Sequence, residues 1–361
     1  MVRENFEGIS TIAIIALLFV ITVLPGCTTP ETSISSPATK TVTDLAGRAV
    51  VMPANVTRVA ALVGPSYEKI FLLGQTDKIV LMMPQTWGWA VKTNPNITRI
   101  PTTSSFQNPN VEDLVSRNVQ VVFFWDYHDP VTSMEKAGIP VITGSTSSGN
   151  PVSAEEFVNR QKQEMRMYGE VLGPEAKQKA DAWCTYFDQK VEYVTSRTND
   201  IPEDKRPTVY YVRGPDVLST HGRNSNTMWL VEMAGGNYVA KNTTKEGLQT
   251  VTMEQVLVWD PEVIFMGRLD NKSVIVDDPK WADIKAVKEG NVYVNPDGVM
   301  AWDYGSESVL FMEYIAKILH PDLFQDLNMT TEVKDYYSQF YGYDLTDDEV
   351  NRILNHLPPA Q

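Results

Sequence analysis

The chain has 361 residues, a formal net charge of −14 and two cysteines. Nucleic acid and anionic membrane surfaces would repel such an acidic protein, so the charge argues against both as binding partners. Because Cys27 lies near the N-terminus and Cys184 lies within a helical pattern, we expect no intrachain disulfide in the mature form and no cysteine zinc cluster.

Residues 1–27 are predicted to be a lipoprotein signal peptide. An uncharged, mainly apolar run from Gly8 ends in Leu24-Pro25-Gly26-Cys27, where a small residue precedes a cysteine that lipidation would use as the anchor. The alternative is an uncleaved anchor helix, although the run is slightly short for a membrane span. Both interpretations predict an extracytoplasmic, membrane-anchored protein, at the cell surface or in the periplasm. Residues 28–40 are rich in Ser, Thr and Pro and predict a flexible linker.

Residues 41–153 predict an N-terminal lobe. A hairpin around Leu45-Ala46-Gly47 is followed by short apolar runs that alternate with short helical patterns. Apolar strands alternating with helices indicate a mainly parallel sheet that is covered on both faces.

Residues 154–200 form a charged helical stretch, which we interpret as the linker between two lobes. It is interrupted at Gly173-Pro174, and the helix predicted from Glu175 to Arg197 would be about as long as a lobe is wide. Residues 201–361 then repeat the alternation of strands and helices and predict a C-terminal lobe.

An internal repeat relates the two lobes. Residues 110–124 align with residues 252–266, and each unit has a helix cap, a glutamate (Glu112 or Glu254), a short apolar helix and a buried strand. The sequence therefore predicts an α/β protein with two Rossmann-like lobes, mainly parallel sheets and one long interlobe helix. The cleft between the lobes is the expected binding site, and the long helix is expected to resist hinge bending.

The motifs in this order resemble one family. They are Val42-Thr43-Asp44-Leu45-Ala46-Gly47-Arg48, Gly64-Pro65-Ser66, the two glutamate repeats, and Phe340-Tyr341-Gly342-Tyr343-Asp344-Leu345-Thr346. Together they are similar to the class III, helix-linked solute-binding proteins of ABC importers for iron–siderophore, haem and cobalamin. The resemblance extends over nearly all of residues 40–355.

The resemblance implies a monomeric binding protein, not an enzyme, that has no cofactor of its own. It would capture a metal chelate, either an iron–siderophore or a corrinoid-like molecule. It would deliver that chelate to a permease dimer with its ATPase. In this family the glutamates that match Glu112 and Glu254 engage arginines of the permease. The structural alternative is that each acid stabilises the first turn of its helix.

The candidate ligand contacts are polar and aromatic residues at strand ends and in the turns that follow them. Aromatic rings stack on bulky ligands, arginines bind anionic groups with two parallel hydrogen bonds, and the turn before a helix can hold an anion. The candidates are Ser66, Trp87, Trp89, Trp125, Tyr127, Tyr211, Arg213, His221, Arg223, Arg268, Trp302 and Tyr304. Each of them has ordinary loop packing as its alternative.

Other functions remain open at this point. The same scaffold would bind a small oxyanion such as molybdate or tungstate through Ser66 and the arginines, and a small cleft would favour that ligand. His221 is either an axial metal ligand or a hydrogen-bonding group. A cell-surface hydrolase would need a triad or a metal set, and the sequence contains no recognised catalytic motif or paired histidine spacing. A structural surface lipoprotein would not need such a cleft.

Overall fold

The computed structural model describes residues 38–84, 88–105, 107–144 and 149–360. Cys27, the predicted signal peptide and Trp87 lie outside these residues. The strands are β1 (Thr39–Thr43), β2 (Ala49–Pro53), β3 (Val59–Ala61), β4 (Ile79–Met82), β5 (Val121–Phe124), β6 (Val141–Thr143), β7 (Thr208–Val212), β8 (Ser219–His221), β9 (Asn237–Tyr238), β10 (Leu248–Thr250), β11 (Val263–Met266) and β12 (Val292–Val294).

The helices include two long ones in the middle of the chain and many short ones. They are α1 (Gly64–Leu72), α2 (Gly88–Thr93), α3 (Val111–Ser116), α4 (His128–Lys136), α5 (Ala154–Leu172), α6 (Pro174–Thr198), α7 (Asn226–Met233), α8 (Met253–Trp259), α9 (Ser273–Val276), α10 (Lys285–Lys288), α11 (Ser308–Leu319), α12 (Met329–Tyr336) and α13 (Asp347–Leu354). Short 3₁₀ turns occupy Thr76–Lys78, Pro95–Arg99, Glu203–Lys205 and Pro279–Trp281, and a π-helical turn, Tyr337–Tyr341, follows α12.

Two four-stranded parallel sheets confirm the predicted two-lobed α/β fold. The first has the strand order β4-β3-β5-β6 and the second has the order β12-β11-β7-β9. Counted along the chain, both sheets have the order second, first, third, fourth strand, so the internal repeat corresponds to a repeated topology. We call the elements around the first sheet (residues 38–144) the N-terminal lobe and those from residue 208 onward the C-terminal lobe.

Alternation along the strands divides the core into an inner layer and two outer layers. In β5, Val121 and Phe123 belong to the largest apolar cluster, whereas Val122 and Phe124 belong to a separate cluster beneath α3 and α4. The strands of the second sheet divide in the same way. The largest cluster also contains residues of α5, α6 and α11, so one apolar core runs continuously from one lobe to the other.

The predicted break at Gly173-Pro174 is confirmed, and α6 is the expected long helix, with 25 residues. However, α5 folds back along α6, so the lobes are joined by a helical hairpin. A Cβ atom at Gly169 would lie 2.9 Å from the Ala180 Cβ, so the close approach of the two helices requires glycine there. The start of α5 lies near the C-terminal lobe, where the Trp229 indole donates to the Pro151 carbonyl at 2.9 Å.

The N-terminal linker is shorter than predicted. Thr39 and Lys40 already belong to β1, and the Lys40 ammonium donates to the carbonyls of Glu170 and Val171 at 2.7 and 2.9 Å. The prediction of a linker through residue 40 was therefore wrong at its end, because two polar residues pair with β2 and with the end of α5.

Candidate functional site

A cavity of about 290 Å³ lies between the lobes. The N-terminal lobe contributes Val63, Lys69, Phe124 and Trp125, α5 contributes Phe157, Arg160, Gln161 and Glu164, and the C-terminal lobe contributes His221, Ser225, Asn226, Thr227, Asp303 and Tyr304. Ligand pockets commonly enclose about 300–1,000 Å³, so this cavity is at the small end of that range.

The first turn of α7 faces this cavity. Ser225 is the N-cap, and its hydroxyl accepts a hydrogen bond from the Met228 amide at 3.2 Å. Within the described part of the chain, the amides of Asn226 and Thr227 have no hydrogen-bond acceptor. Free amides at the positive end of a helix form an anion-binding site, so α7 presents the cavity with two oriented donors.

His221 lies beside this helix start as a neutral imidazole. Its Nδ1 atom is 2.9 Å from the Thr227 hydroxyl, and its ring stacks on Tyr211 with centroids 5.8 Å apart. Burial, opposed by Asp303 and reinforced by the nearby arginines, lowers the pKa of His221 to about 4. When the Thr227 hydroxyl donates to Nδ1, the ring hydrogen is on Nε2, which makes the imidazole a neutral donor.

Asp303, which lines the cavity, accepts hydrogen bonds from two residues that lie behind the cavity wall. The Arg268 guanidinium donates to Oδ1 at 2.9 Å, and the Tyr211 hydroxyl donates to Oδ2 at 2.7 Å. The Asp303 side chain is almost fully buried, so this pairing offsets the cost of removing its charge from water. Burial and the neighbouring Asp303 raise the pKa of Tyr211, so its hydroxyl stays protonated and remains a donor.

The positive charges on the opposite wall are already paired. Lys69 lies 3.3 Å from Glu164, and both side chains are largely buried. Burial raises the pKa of Glu164, and the Lys69 ammonium partly opposes that rise. Arg160 forms an ion pair with Glu156 of its own helix. Of the cations near the cavity, Arg213 is the one for which no carboxylate among the described residues comes within ion-pair distance.

Two aromatic rings face each other across the cleft. Trp125 and Tyr304 are stacked at an interplanar angle of 26°, with centroids 6.5 Å apart. The Arg268 guanidinium lies 5.7 Å from the centre of the Tyr304 ring. Both rings line the cavity that the first turn of α7 also faces.

The structure brings together six of the predicted contacts. Trp125, His221 and Tyr304 line the cavity, while Tyr211 and Arg268 lie directly behind it and act through Asp303. Arg213 is the sixth; it is close enough to His221 and Tyr304 to influence the pKa of each.

Five predicted contacts lie elsewhere. Ser66 is buried and its hydroxyl donates to the Val63 carbonyl at 2.5 Å, and Trp89 is buried with its indole donating to the Leu357 carbonyl at 3.0 Å. Trp302 is fully buried in the core. All three side chains are buried in local or core packing, and none of them lines the cavity.

The other two, Tyr127 and Arg223, are exposed outside the cavity. Tyr127 packs edge-on against Phe124, and Arg223 pairs with Glu246 at 3.5 Å. Both residues follow the ends of strands, as the sequence predicted, but their side chains do not line the cavity.

Several cavity residues were not predicted. Lys69, Arg160 and Glu164 have the appearance of solvated charges on helix faces, and only the packing of α5 against both lobes brings them to the cleft. Ser225 is the N-cap residue of α7, so a serine directly before the helical pattern that starts at Asn226 was the available signal.

The two repeat glutamates occupy matching positions. Glu112 is in the first turn of α3, where the Asn110 side chain accepts from the Asp113 amide at 3.1 Å, and α3 leads into β5. Glu254 is in the first turn of α8, which is capped by Thr252 and leads into β11. Both carboxylates are exposed. Hydrogen bonds from the backbone amide of Glu254 itself and from the Thr252 hydroxyl lower the pKa of the Glu254 carboxyl group.

Comparison with known families agrees with this architecture. A family described as periplasmic binding protein matches residues 59–298, which span both sheets. The chain belongs to this family.

The molybdate-binding protein MolA of Haemophilus influenzae is 28% identical over 351 residues, covering 91% of this chain and 98% of MolA. The solved structure of MolA bound to molybdate has a TM-score of 0.76 at 28% identity and covers 85% of this chain and 99% of that one. A periplasmic solute-binding protein from Veillonella parvula has a TM-score of 0.75 at 28% identity and covers 88% of this chain and 97% of that one.

More distant structures share the fold. CeuE of Helicobacter pylori has a TM-score of 0.68 at 20% identity and covers 88% of this chain and 99% of CeuE. At that identity the likeness concerns the fold alone. The helix-linked, class III architecture expected from the sequence is confirmed.

Membership of this family defines the general function. The protein is an extracytoplasmic solute-binding component of an ABC transporter, which works with permease and ATPase components, and it is not an enzyme. None of the helices in the described ranges is long and apolar enough to span a membrane.

Proposed function

We propose that the interlobe cavity binds a small tetrahedral oxyanion of the molybdate type. The observation that carries this proposal is the start of α7, where the amides of Asn226 and Thr227 have no acceptor among the described residues and face a cavity of about 290 Å³. The molybdate-bound structure of the relative MolA supports the same ligand class.

The charges of the site favour recognition by neutral donors. Lys69 and Arg268 are neutralised by Glu164 and Asp303, so the ligand charge is met by the helix amides, the dipole of α7 and the field of Arg213. Backbone amides keep their hydrogens at every physiological pH. His221 also remains neutral in that range, because its pKa is lowered to about 4.

A metal chelate is the second candidate ligand. The stacked pair Trp125 and Tyr304, with the Arg268 guanidinium over the Tyr304 ring, would suit a flat or bulky anionic ligand. An iron–siderophore or a corrinoid is much larger than an oxyanion, so it would have to extend beyond the cavity towards the exposed Leu248 at its rim.

Isothermal titration of the purified protein decides between these ligands. We expect saturable binding of molybdate and tungstate, weaker binding of sulfate and phosphate, and no binding of ferric siderophores, haem or cobalamin. Binding of a chelate with no response to molybdate would refute the oxyanion proposal and leave the chelate as the ligand.

We further propose that Glu112 and Glu254 dock this protein onto its permease. The support is their equivalent position in the two lobes, on exposed first turns that precede equivalent strands. Charge pairs at such surfaces determine orientation and association more than they add buried area. Tethering to the membrane through a lipid on Cys27, with residues 28–38 as the spacer, remains part of the same proposal.

A further inference from the structure

One wall of the cavity is a loop that another part of the molecule holds in place. Asp303 and Tyr304 line the cavity and belong to the segment between β12 and α11. Two residues further on, Ser306 is bound by Glu68 of α1, which belongs to the other lobe. The Ser306 amide and hydroxyl donate to the Glu68 Oε2 atom at 3.3 and 2.9 Å.

A third donor comes from the C-terminal region. The Tyr341 hydroxyl donates to the Glu68 Oε1 atom at 2.7 Å. Tyr341 is the last residue of the π-helical turn Tyr337–Tyr341, and the chain turns away at Gly342 with φ +63°. A π-helical turn, which is rare and often occurs at functional positions, thus ends at the residue whose hydroxyl binds the carboxylate.

The contact is tight as well as polar. Glu68 is 0% exposed, so its two oxygens need these donors to offset the loss of water. A Cβ atom at Gly305 would lie 2.8 Å from the Met300 Cβ and 3.7 Å from the Glu68 Cδ, so the loop reaches α1 because residue 305 has no side chain. Met300 in turn lies against Gly64 at the start of α1.

The next residue of α1, Lys69, contacts the cavity wall that α5 forms. Lys69 lies 3.3 Å from Glu164 of α5, and both residues line the cavity. Adjacent residues of one helix therefore connect two walls of the same cavity: Glu68 binds the C-terminal loop, and Lys69 binds the interlobe hairpin.

We propose that Glu68 is a positioning residue that holds the Asp303–Tyr304 loop against the N-terminal lobe and thereby sets the width of the cavity. The consequence for anion selectivity rests on the function proposed above, whereas the holding of the loop does not. Glu68 acts through Ser306 and the loop, and it is not itself among the cavity-lining residues.

Hydrogen–deuterium exchange of the ligand-free protein tests the positioning directly. In Glu68→Gln the amide group cannot accept hydrogen bonds from all three donors, because its nitrogen is itself a donor, so we expect the segment 297–307 to exchange at least tenfold faster. Exchange in the two parallel sheets should stay as in the wild type. Unchanged exchange in the segment would overturn the proposal.

Titration with molybdate and with the smaller sulfate tests selectivity. We expect Glu68→Gln to bind molybdate at least tenfold more weakly and to discriminate less between the two anions. Affinity and selectivity equal to the wild type would contradict a role in setting cavity width. If the wild type itself binds neither anion, the proposed ligand class is wrong, and the exchange experiment still decides whether Glu68 holds the loop.

Glu313→Gln is the matched control. Like Glu68, Glu313 is a fully buried glutamate, but it lies in the C-terminal lobe, pairs with Lys190 at 3.2 Å and does not line the cavity. It should change overall stability without selective exchange in segment 297–307. If Glu68→Gln does not fold, Tyr341→Phe and Ser306→Ala remove one donor each, and each should give a smaller, local increase in exchange in the same segment.

Discussion

The helices α1 and α7 each lie between the first and the second strand of a four-stranded parallel sheet, and both begin at the cavity wall, but they begin differently. In α7 the Ser225 cap leaves the next two amides free towards the cavity. In α1 the second residue is proline, which has no amide hydrogen, and the amide of Ser66 donates to the Val63 carbonyl at 3.0 Å.

This difference separates two roles within a repeated fold. The first turn of α7 presents two free amides to the cavity and suits an anion, whereas the first turn of α1 lacks one of these donors because its second residue is proline. The rest of α1 binds other walls through Glu68 and Lys69. A repeated topology thus supports one binding half and one positioning half. The outward-facing helices α3 and α8, by contrast, have kept their equivalence.

The largest expected effect concerns those equivalent helices. The double substitution Glu112→Ala and Glu254→Ala should abolish transport of the ligand in cells while leaving its affinity in titration unchanged, because both carboxylates are exposed and neither lines the cavity. Each single substitution should have an intermediate effect if the two lobes dock equally. Normal uptake by the double variant would show that docking does not depend on these acids, and Glu155→Ala, an exposed acid of α5, is the control.

The buried acids of the two lobes give the second contrast. Asp44 of the N-terminal lobe is buried against the Arg48 guanidinium at 2.7 Å. Among the described residues, the donors to Glu307 of the C-terminal lobe are instead neutral, the Tyr337 hydroxyl at 2.6 Å and the Met300 amide at 3.0 Å. Burial raises the pKa of Glu307 to about 8, despite these two hydrogen bonds.

Folded Glu307 therefore keeps a proton that the unfolded chain releases near its ordinary pKa. Its contribution to stability is complete below pH 4.5 and is lost as the pH rises through about 8. We expect thermal stability to fall from pH 5 to pH 8, and Glu307→Gln to flatten this dependence by up to about 1.4 kcal/mol per pH unit. Glu112→Gln, at an exposed site, should leave the slope unchanged, and an equal slope in Glu307→Gln would contradict the assignment.

Local patterns in the sequence predicted much of the fold. The alternation in β5 and β11, the capped glutamate helices before them and the break at Gly173-Pro174 are all encoded within a few residues, so periodicity and helix breakers were sufficient. The return of α5 along α6 was missed because it depends on a close contact, such as that of Gly169 with Ala180, between helices that are each charged on one face.

The site was less predictable than the fold. The end of a strand indicates in which region of the molecule a residue lies, but not the direction in which its side chain points. Trp125 and Trp302 both follow strand-rich segments, but one lines the cavity and the other is fully buried in the core. The size and polarity of a side chain do not reveal which way it points, nor which charges on α5 and α1 will meet. The first turn of α7 differs from these residues. Its N-cap serine, Ser225, marks the start of a helix in the sequence and could have indicated this part of the site.

The comparison of helix starts has a direct test at Asn226. Proline is tolerated at the first position of a helix, and Ser225 already has an extended backbone that suits a following proline. Asn226→Pro should therefore keep α7 but remove one free amide, and we expect molybdate affinity to fall about 10- to 100-fold. Asn226→Ala removes the side chain and keeps the amide, so the difference between these two variants isolates the backbone donor.

A change in the first turn of α1, in the other lobe, should leave binding intact and gives the smallest expected effect. Ser66→Ala removes a buried hydroxyl that bonds within α1, so we expect roughly 1 kcal/mol lower stability in thermal unfolding and molybdate affinity within about twofold of the wild type. Asp347→Pro, at the first position of α13 on the surface, controls for the proline itself. If Ser66→Ala weakened binding as much as Asn226→Pro, both helix starts would take part in recognition, and the division into a binding half and a positioning half would be wrong.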